Sequence, residues 1–184
     1  PETGEGGVLP SLHQRIGSIH LLSEKRYGIS DGGGTGKTAI AALAIPSIIK
    51  ELESEGKEFR KAVIGCPNLA KKAWRKGFLG KKHERYLTDT YNDMLNAFII
   101  NGEKKDDEFL ESLDEHKVIV VNYEQLTTKI NGGEKLFIDF LIEKGLDYVI
   151  FDESHNVKAL RETTLNGRPS HSAAARMLSL NSEY

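Results

Sequence analysis

Lys37 and Thr38 close a glycine-rich run, Asp31-Gly32-Gly33-Gly34-Thr35-Gly36, and open a helical pattern behind it. A short apolar run over 27–30 leads in. Glycines let the backbone curl so that N–H groups face phosphate oxygens at distances where side chains would clash. The helix N-terminus adds partial positive charge at the same place. Lys37 then has the reach for the β- and γ-phosphates, and the Thr38 hydroxyl suits Mg²⁺. Gly33, Gly34, Thr35, Gly36, Lys37 and Thr38 are therefore the candidate contacts of a phosphate-binding loop. Asp31 stands where the full pattern has glycine, six residues before the lysine, while Gly34-x-Gly36-Lys37-Thr38 is intact. A glycine-rich turn before an ordinary helix is the plain alternative.

Asp152-Glu153 is the second place where chemistry could occur, at the end of an apolar run over 147–151. An aspartate at a strand end can hold Mg²⁺ beside a nucleotide, and a neighbouring glutamate can polarise the attacking water. Alone, such a pair reads as a helix cap. Together with Lys37-Thr38, it reads as the other half of an ATP-hydrolysing site. His155 could couple that site to other elements or be a polar loop residue. His13, His20, His83, His116 and His171 show no ligand spacing and read as ordinary.

The elements that must position these groups follow from periodicity. At 184 residues, with 39% hydrophobic and 28% charged residues, one soluble domain with a sizeable core is expected. Residues 1–10 read as a flexible arm and 11–184 as the domain. Apolar residues at 12, 16, 19 and 22 predict a helix facing inward on that side. Strands are expected over 27–30, 62–66, 117–122 and 147–151, with a further short one over 85–87. Helices are expected over 37–52, 69–78, 91–100, 107–113, 123–129, 134–144 and 172–180. Pro46 should kink the second helix or end it early. Alternating strands and helices predict a mostly parallel sheet with helices on both faces, ligands binding at the strands' carboxyl ends. Cys66 is the only cysteine, so neither an internal disulfide nor a cysteine metal site is expected. With no long apolar stretch or leader pattern, the expected location is cytoplasmic, or nuclear in a eukaryote, with no membrane partner.

These residues fall in an order that resembles a known family. Gln14 with Gly17 and Leu21, 31–38, Cys66-Pro67-Asn68 with Trp74, Asn122-Tyr123-Glu124, and Asp152-Glu153-Ser154-His155 resemble the first RecA-like lobe of superfamily-two helicases. The nearest branch is the Swi/Snf-type translocases of double-stranded DNA, whose loops also begin with Asp. The resemblance implies a P-loop NTPase fold and ATP with Mg²⁺. It makes Gln14 the adenine-reading residue, Lys37 and Thr38 the phosphate and metal contacts, Asp152 the metal aspartate and Glu153 the catalytic base. Pro67, Asn68, Asn122 and Tyr123 match positions that line the nucleic-acid track. It also implies a second RecA-like lobe in the same polypeptide, beyond Tyr184, that supplies arginines to the transferring phosphate, so that this lobe alone is nearly inactive.

Net charge is only −2, but residues 57–85 carry ten Lys/Arg against Glu58 and Glu84. Lys71, Lys72, Arg75 and Lys76 flank Trp74 and read either as contacts to a phosphate backbone or as a solvated helix face. Trp74 itself reads as core. The acidic run over 103–115 reads as solvated surface. Two other readings are an RNA-directed or restriction-system helicase of the same superfamily, and an oligomeric P-loop ATPase that does not act on nucleic acid.

Overall fold

Ala62–Cys66, Val118–Asn122 and Tyr148–Phe151 are nearly unbroken apolar runs, the pattern of strands covered on both faces. The computed structural model describes residues 9–25, 28–29, 35–153 and 170–184. In it these runs form β1, β3 and β4 of an all-parallel four-stranded sheet ordered β2-β3-β1-β4, with Phe98–Ile99 as β2. Ala62 pairs with Val118 on one side and Tyr148 on the other. The fold is α/β, as the alternation of strands and helices predicts.

Eight helices are seen among the described residues. They are α1 (Leu12–Ser23), α2 (Lys37–Ser54), α3 (Lys71–Leu79), α4 (Asp89–Leu95), α5 (Asp107–Ser112), α6 (Tyr123–Leu126), α7 (Phe137–Glu143) and α8 (His171–Leu180). The chain falls into two compact units: Pro1–Phe59 with Lys72–Leu95 and Tyr184, and Arg60–Lys71 with Asn96–Glu183.

The second unit holds the sheet. Val63, Ile119 and Val121 on one face share a core with Tyr123, Leu126, Phe137, Ile138, Leu141, Ala174 and Leu178 from α6, α7 and α8. The alternate residues Ala62, Ile64, Val118 and Val120 are fully buried too. Two cations brace the start of β1. Arg60 bonds the buried carboxylate of Asp147 through its backbone and guanidinium N–H groups. The Lys61 ammonium donates to the carbonyls of Leu113 and His116, both at 2.8 Å.

The first unit is helical, and there two expectations are corrected. The inward face of α1 is not that of 12, 16, 19 and 22: Leu12, Ile16 and Ile19 are exposed, and of the four only Leu22 is half-buried. The packed side is Gln14, Gly17, Ser18 and Leu21, also at helical spacing. Small residues let α1 approach α2 closely: a Cβ on Gly17 would lie 2.8 Å from Ile40 Cγ2, and Ser18 Oγ donates to Ile40 O at 3.0 Å. Pro46 does not end α2, which runs on to Ser54. An interior proline costs about 3 kcal/mol. The burial of Ile45, Ile48, Ile49 and Leu52, at roughly 1.5–3 kcal/mol each, outweighs that.

Two further expectations fail between 81 and 100. No strand forms over 85–87. Instead a 3₁₀ turn (Lys82–Glu84) leads into a stretch held by Tyr86 N–H on Gly77 O and Arg85 Nε on Gly80 O, each 2.9 Å. The helix expected over 91–100 stops at Leu95, because Asn96 turns left-handed (φ 43°) and Phe98–Ile99 enters the sheet. Of the strand expected over 27–30 only Gly28 and Ile29 are described, and neither is in a strand.

Candidate functional site

The loop side of the site is built where α1 meets the start of α2. Gly36 caps α2 in the left-handed region (φ 80°), which a residue with a Cβ rarely adopts. A Cβ there would also lie 2.3 Å from Gln14 Nε2, so glycine makes room for the glutamine as well as for the turn. Gln14 Oε1 accepts the Ser11 backbone N–H at 2.9 Å, and so is fixed at the first turn of α1. By helix geometry the N–H groups of Lys37, Thr38 and Ala39 have no acceptor within α2, and the 18-residue helix turns the positive end of its dipole to this side. Thr35, Gly36, Lys37 and Thr38 are half-buried. Gly33, Gly34 and Asp31 lie outside the described residues.

His13 belongs to this cluster, though its spacing suggested nothing. Its Nε2 meets Thr35 O at 2.8 Å and its Nδ1 meets Ser11 Oγ at 2.9 Å. The carbonyl must accept, so Nε2 carries the proton and Nδ1 accepts from the serine in the neutral ring. The one signal available in sequence was adjacency to Gln14, which helical geometry alone cannot turn into a contact.

In the sheet-bearing unit, the carboxyl ends of parallel strands share one edge. Pro67-Asn68 follows β1, Asn122-Tyr123 follows β3, and Asp152-Glu153 follows β4. Asp152 N–H donates to Gly65 O at 2.9 Å, extending the ladder by one residue. Glu153 then turns left-handed (φ 54°). Ser154 and His155 lie outside the described residues.

Three residues expected on a nucleic-acid track are buried instead. Asn122, 7% exposed, spends its side chain locally. Its Nδ2 donates to Asn68 Oδ1 at 3.0 Å and Glu124 Oε2 at 2.7 Å, while its Oδ1 caps α6 by accepting from Gln125 N. Tyr123, 3% exposed, donates its hydroxyl to Asp152 O at 2.6 Å. Lys71, 7% exposed, donates to Ile100 O at 2.5 Å and Gln125 Oε1 at 3.1 Å. It falls three residues before Trp74 and seven before Phe78, on the buried side of α3, where Trp74 is core as expected. Lys72, Arg75 and Lys76 occupy the exposed side, Lys76 pairing with Glu84 at 3.2 Å. Asn68 is exposed and Pro67 half-buried.

The family model described as "Type III restriction enzyme, res subunit" (ResIII) matches residues 12–180. The chain belongs to that family. The match runs from the first residue of α1 to the last of α8, and so takes in the glycine loop and the acid pair alike. Membership makes the ResIII chain an ATP-binding, helicase-like lobe of superfamily two, with which the all-parallel sheet and its helices agree. No curated protein matches it. Among the described residues no helix is long and apolar enough to cross a membrane.

Proposed function

We propose that this lobe binds Mg-ATP and, with a second lobe, drives movement along double-stranded DNA. The observation that carries the reading is the left-handed Gly36 cap, with Lys37 and Thr38 as the first residues of α2, in a chain of a helicase-like family. Lys37 binds the β- and γ-phosphates, and Gln14, packed on Gly36, reads the base. Thr38 and Asp152 would hold the Mg²⁺, which when bound offsets phosphate charge. Glu153 takes the proton of the attacking water. DNA is favoured over RNA because the family is named for a restriction enzyme. Asp31 and the Cys66-Pro67-Asn68 and Asn122-Tyr123-Glu124 segments add the finer likeness to Swi/Snf-type translocases. Lys72, Arg75, Lys76 and Asn68, all exposed, are the surviving candidates for backbone contact.

An arginine finger contributes roughly 10³–10⁵ in rate to phosphoryl transfer. In this reading those arginines come from the second lobe, so the 184-residue chain turns ATP over barely above background and without stimulation by DNA. The test is titration of the chain with a fluorescent ATP analogue and Mg²⁺, beside a steady-state hydrolysis assay. Lys37→Ala should weaken binding by roughly ten- to a hundredfold, since hydrogen bonds to charged groups are worth about 1.5–3 kcal/mol. Equal affinity in the two proteins refutes the loop assignment, and brisk DNA-stimulated turnover by this chain refutes the need for a second lobe.

A further inference from the structure

The peptide that joins Asp152 to Glu153 is held in a way that neither nucleotide nor nucleic-acid contact requires. Its carbonyl, Asp152 O, accepts the Tyr123 hydroxyl at 2.6 Å. On the other side of the same residue, Asp152 N–H is tied to Gly65 O at 2.9 Å. Rotation of the Asp152–Glu153 peptide plane changes ψ of Asp152 and φ of Glu153 together, so fixing that oxygen fixes both. Glu153 needs this help, because its φ of 54° is a region that residues bearing a Cβ rarely occupy. Without a partner for the carbonyl, the plane is free to turn and relieve the left-handed strain. Both carboxylates would then point elsewhere.

Tyr123 is itself held firmly enough to act as a latch. It opens α6 behind the Asn122 cap, and its ring lies against Gly65, where a Cβ would come within 3.0 Å of Tyr123 Cε1. The imidazole of His171 stacks near it, with ring centroids 6.1 Å apart. The Asp152 carbonyl can only accept, so the phenolic O–H is the donor in this bond. We infer that Tyr123 is a positioning residue for the acid pair: its hydroxyl holds the Asp152–Glu153 turn in the geometry from which one carboxylate meets the metal and the other meets water. The inference rests on the reading of Asp152 and Glu153 as that pair.

Tyr123→Phe removes one oxygen and keeps the ring between Gly65 and His171. Two measurements on the chain test it. Amide hydrogen exchange without nucleotide should quicken about tenfold at Glu153, whose N–H lies in the latched peptide, with β1 and β3 unchanged. The Mg²⁺ concentration for half-maximal binding of a fluorescent ATP analogue should rise about fivefold, with metal-free affinity unchanged. Gly65→Ala, which crowds the ring but leaves the hydroxyl, should give the same pattern in smaller measure. Unchanged exchange at Glu153 overturns the inference, as does a quickening spread through β1 and β3, and so does an unmoved Mg²⁺ dependence. Failure of the wild-type chain to bind the analogue at all is a different result, and sinks the nucleotide-site reading instead.

Discussion

Gly17→Ala sets two effects of opposite sign against each other. Alanine is the better helix former, and at an exposed interior position the change would stabilise α1 by about 1 kcal/mol. Gly17 is not exposed to solvent on its Cα face, however: the new methyl would sit 2.8 Å from Ile40 Cγ2 and 3.2 Å from its Cδ1. Ile40 is β-branched and 1% exposed, so it has no rotamer to retreat into. Overpacking of this kind costs about 1–3 kcal/mol. The net expectation is a loss of about 1 kcal/mol, roughly fivefold in the unfolding equilibrium. α1 should yield by moving off α2, lengthening the Ser18–Ile40 bond and drawing Gln14 and His13 from Gly36 and Thr35. Nucleotide affinity should therefore fall by a similar few-fold factor. Urea denaturation and an ATP-analogue titration measure the two consequences. A stabilised variant with full affinity would mean that propensity alone decides, and that the close helix contact is wrong.

Replacing Lys72, Arg75 and Lys76 together with Ala should reduce the salt slope of DNA binding by up to about 3, near 0.9 per phosphate contact. Lys71→Ala should instead lower stability by about 1–3 kcal/mol, because Ile100 O and Gln125 lose a buried donor; a salt-slope effect confined to Lys71 would reverse this assignment. Cys66 is fully buried and its thiol is pushed up to about 12 by burial first and the Asp152 charge second. Since the folded value lies above the ordinary 9.0, its contribution to stability is complete below about pH 9 and is lost as pH rises toward 12. The stability gap between wild type and Cys66→Ala should narrow from pH 8 to pH 10, and a thiol reagent should modify the native chain only as fast as it unfolds.

What could be read from the sequence was what a single local pattern determines. β1, β3 and β4 announced themselves because a strand buried on both faces must be apolar throughout. The start of α2 announced itself because Gly36 ends a glycine run directly before an apolar helical pattern. Other features depended on which neighbour arrived. α1 carries two stripes at helical spacing, one greasy and one small, and packing chose the small one because it lets backbones approach. Phe98–Ile99 became a strand only because β3 offered an edge. Lys71 could have been told from Lys72 by its place three residues before Trp74, since a basic run on a helix is split by the turn. Asn122 and Tyr123 lie at the expected edge of the sheet, yet their side chains are spent inside it, which no motif reveals.

The strand order has a consequence for how the chain is made. β1 lies between two neighbours, β3 and β4, both of which come from much later in the sequence. During synthesis Ala62–Cys66 leaves the ribosome long before Val118 exists to pair with it, and its other edge waits for Tyr148. A bare apolar strand of this kind is a seed for misassociation. The cations that brace it in the finished fold, Arg60 and Lys61, stand at its threshold from the start. Charge beside an apolar strand disfavours self-association in general, so two side chains that act as clamps in the finished fold stand where gatekeepers are placed.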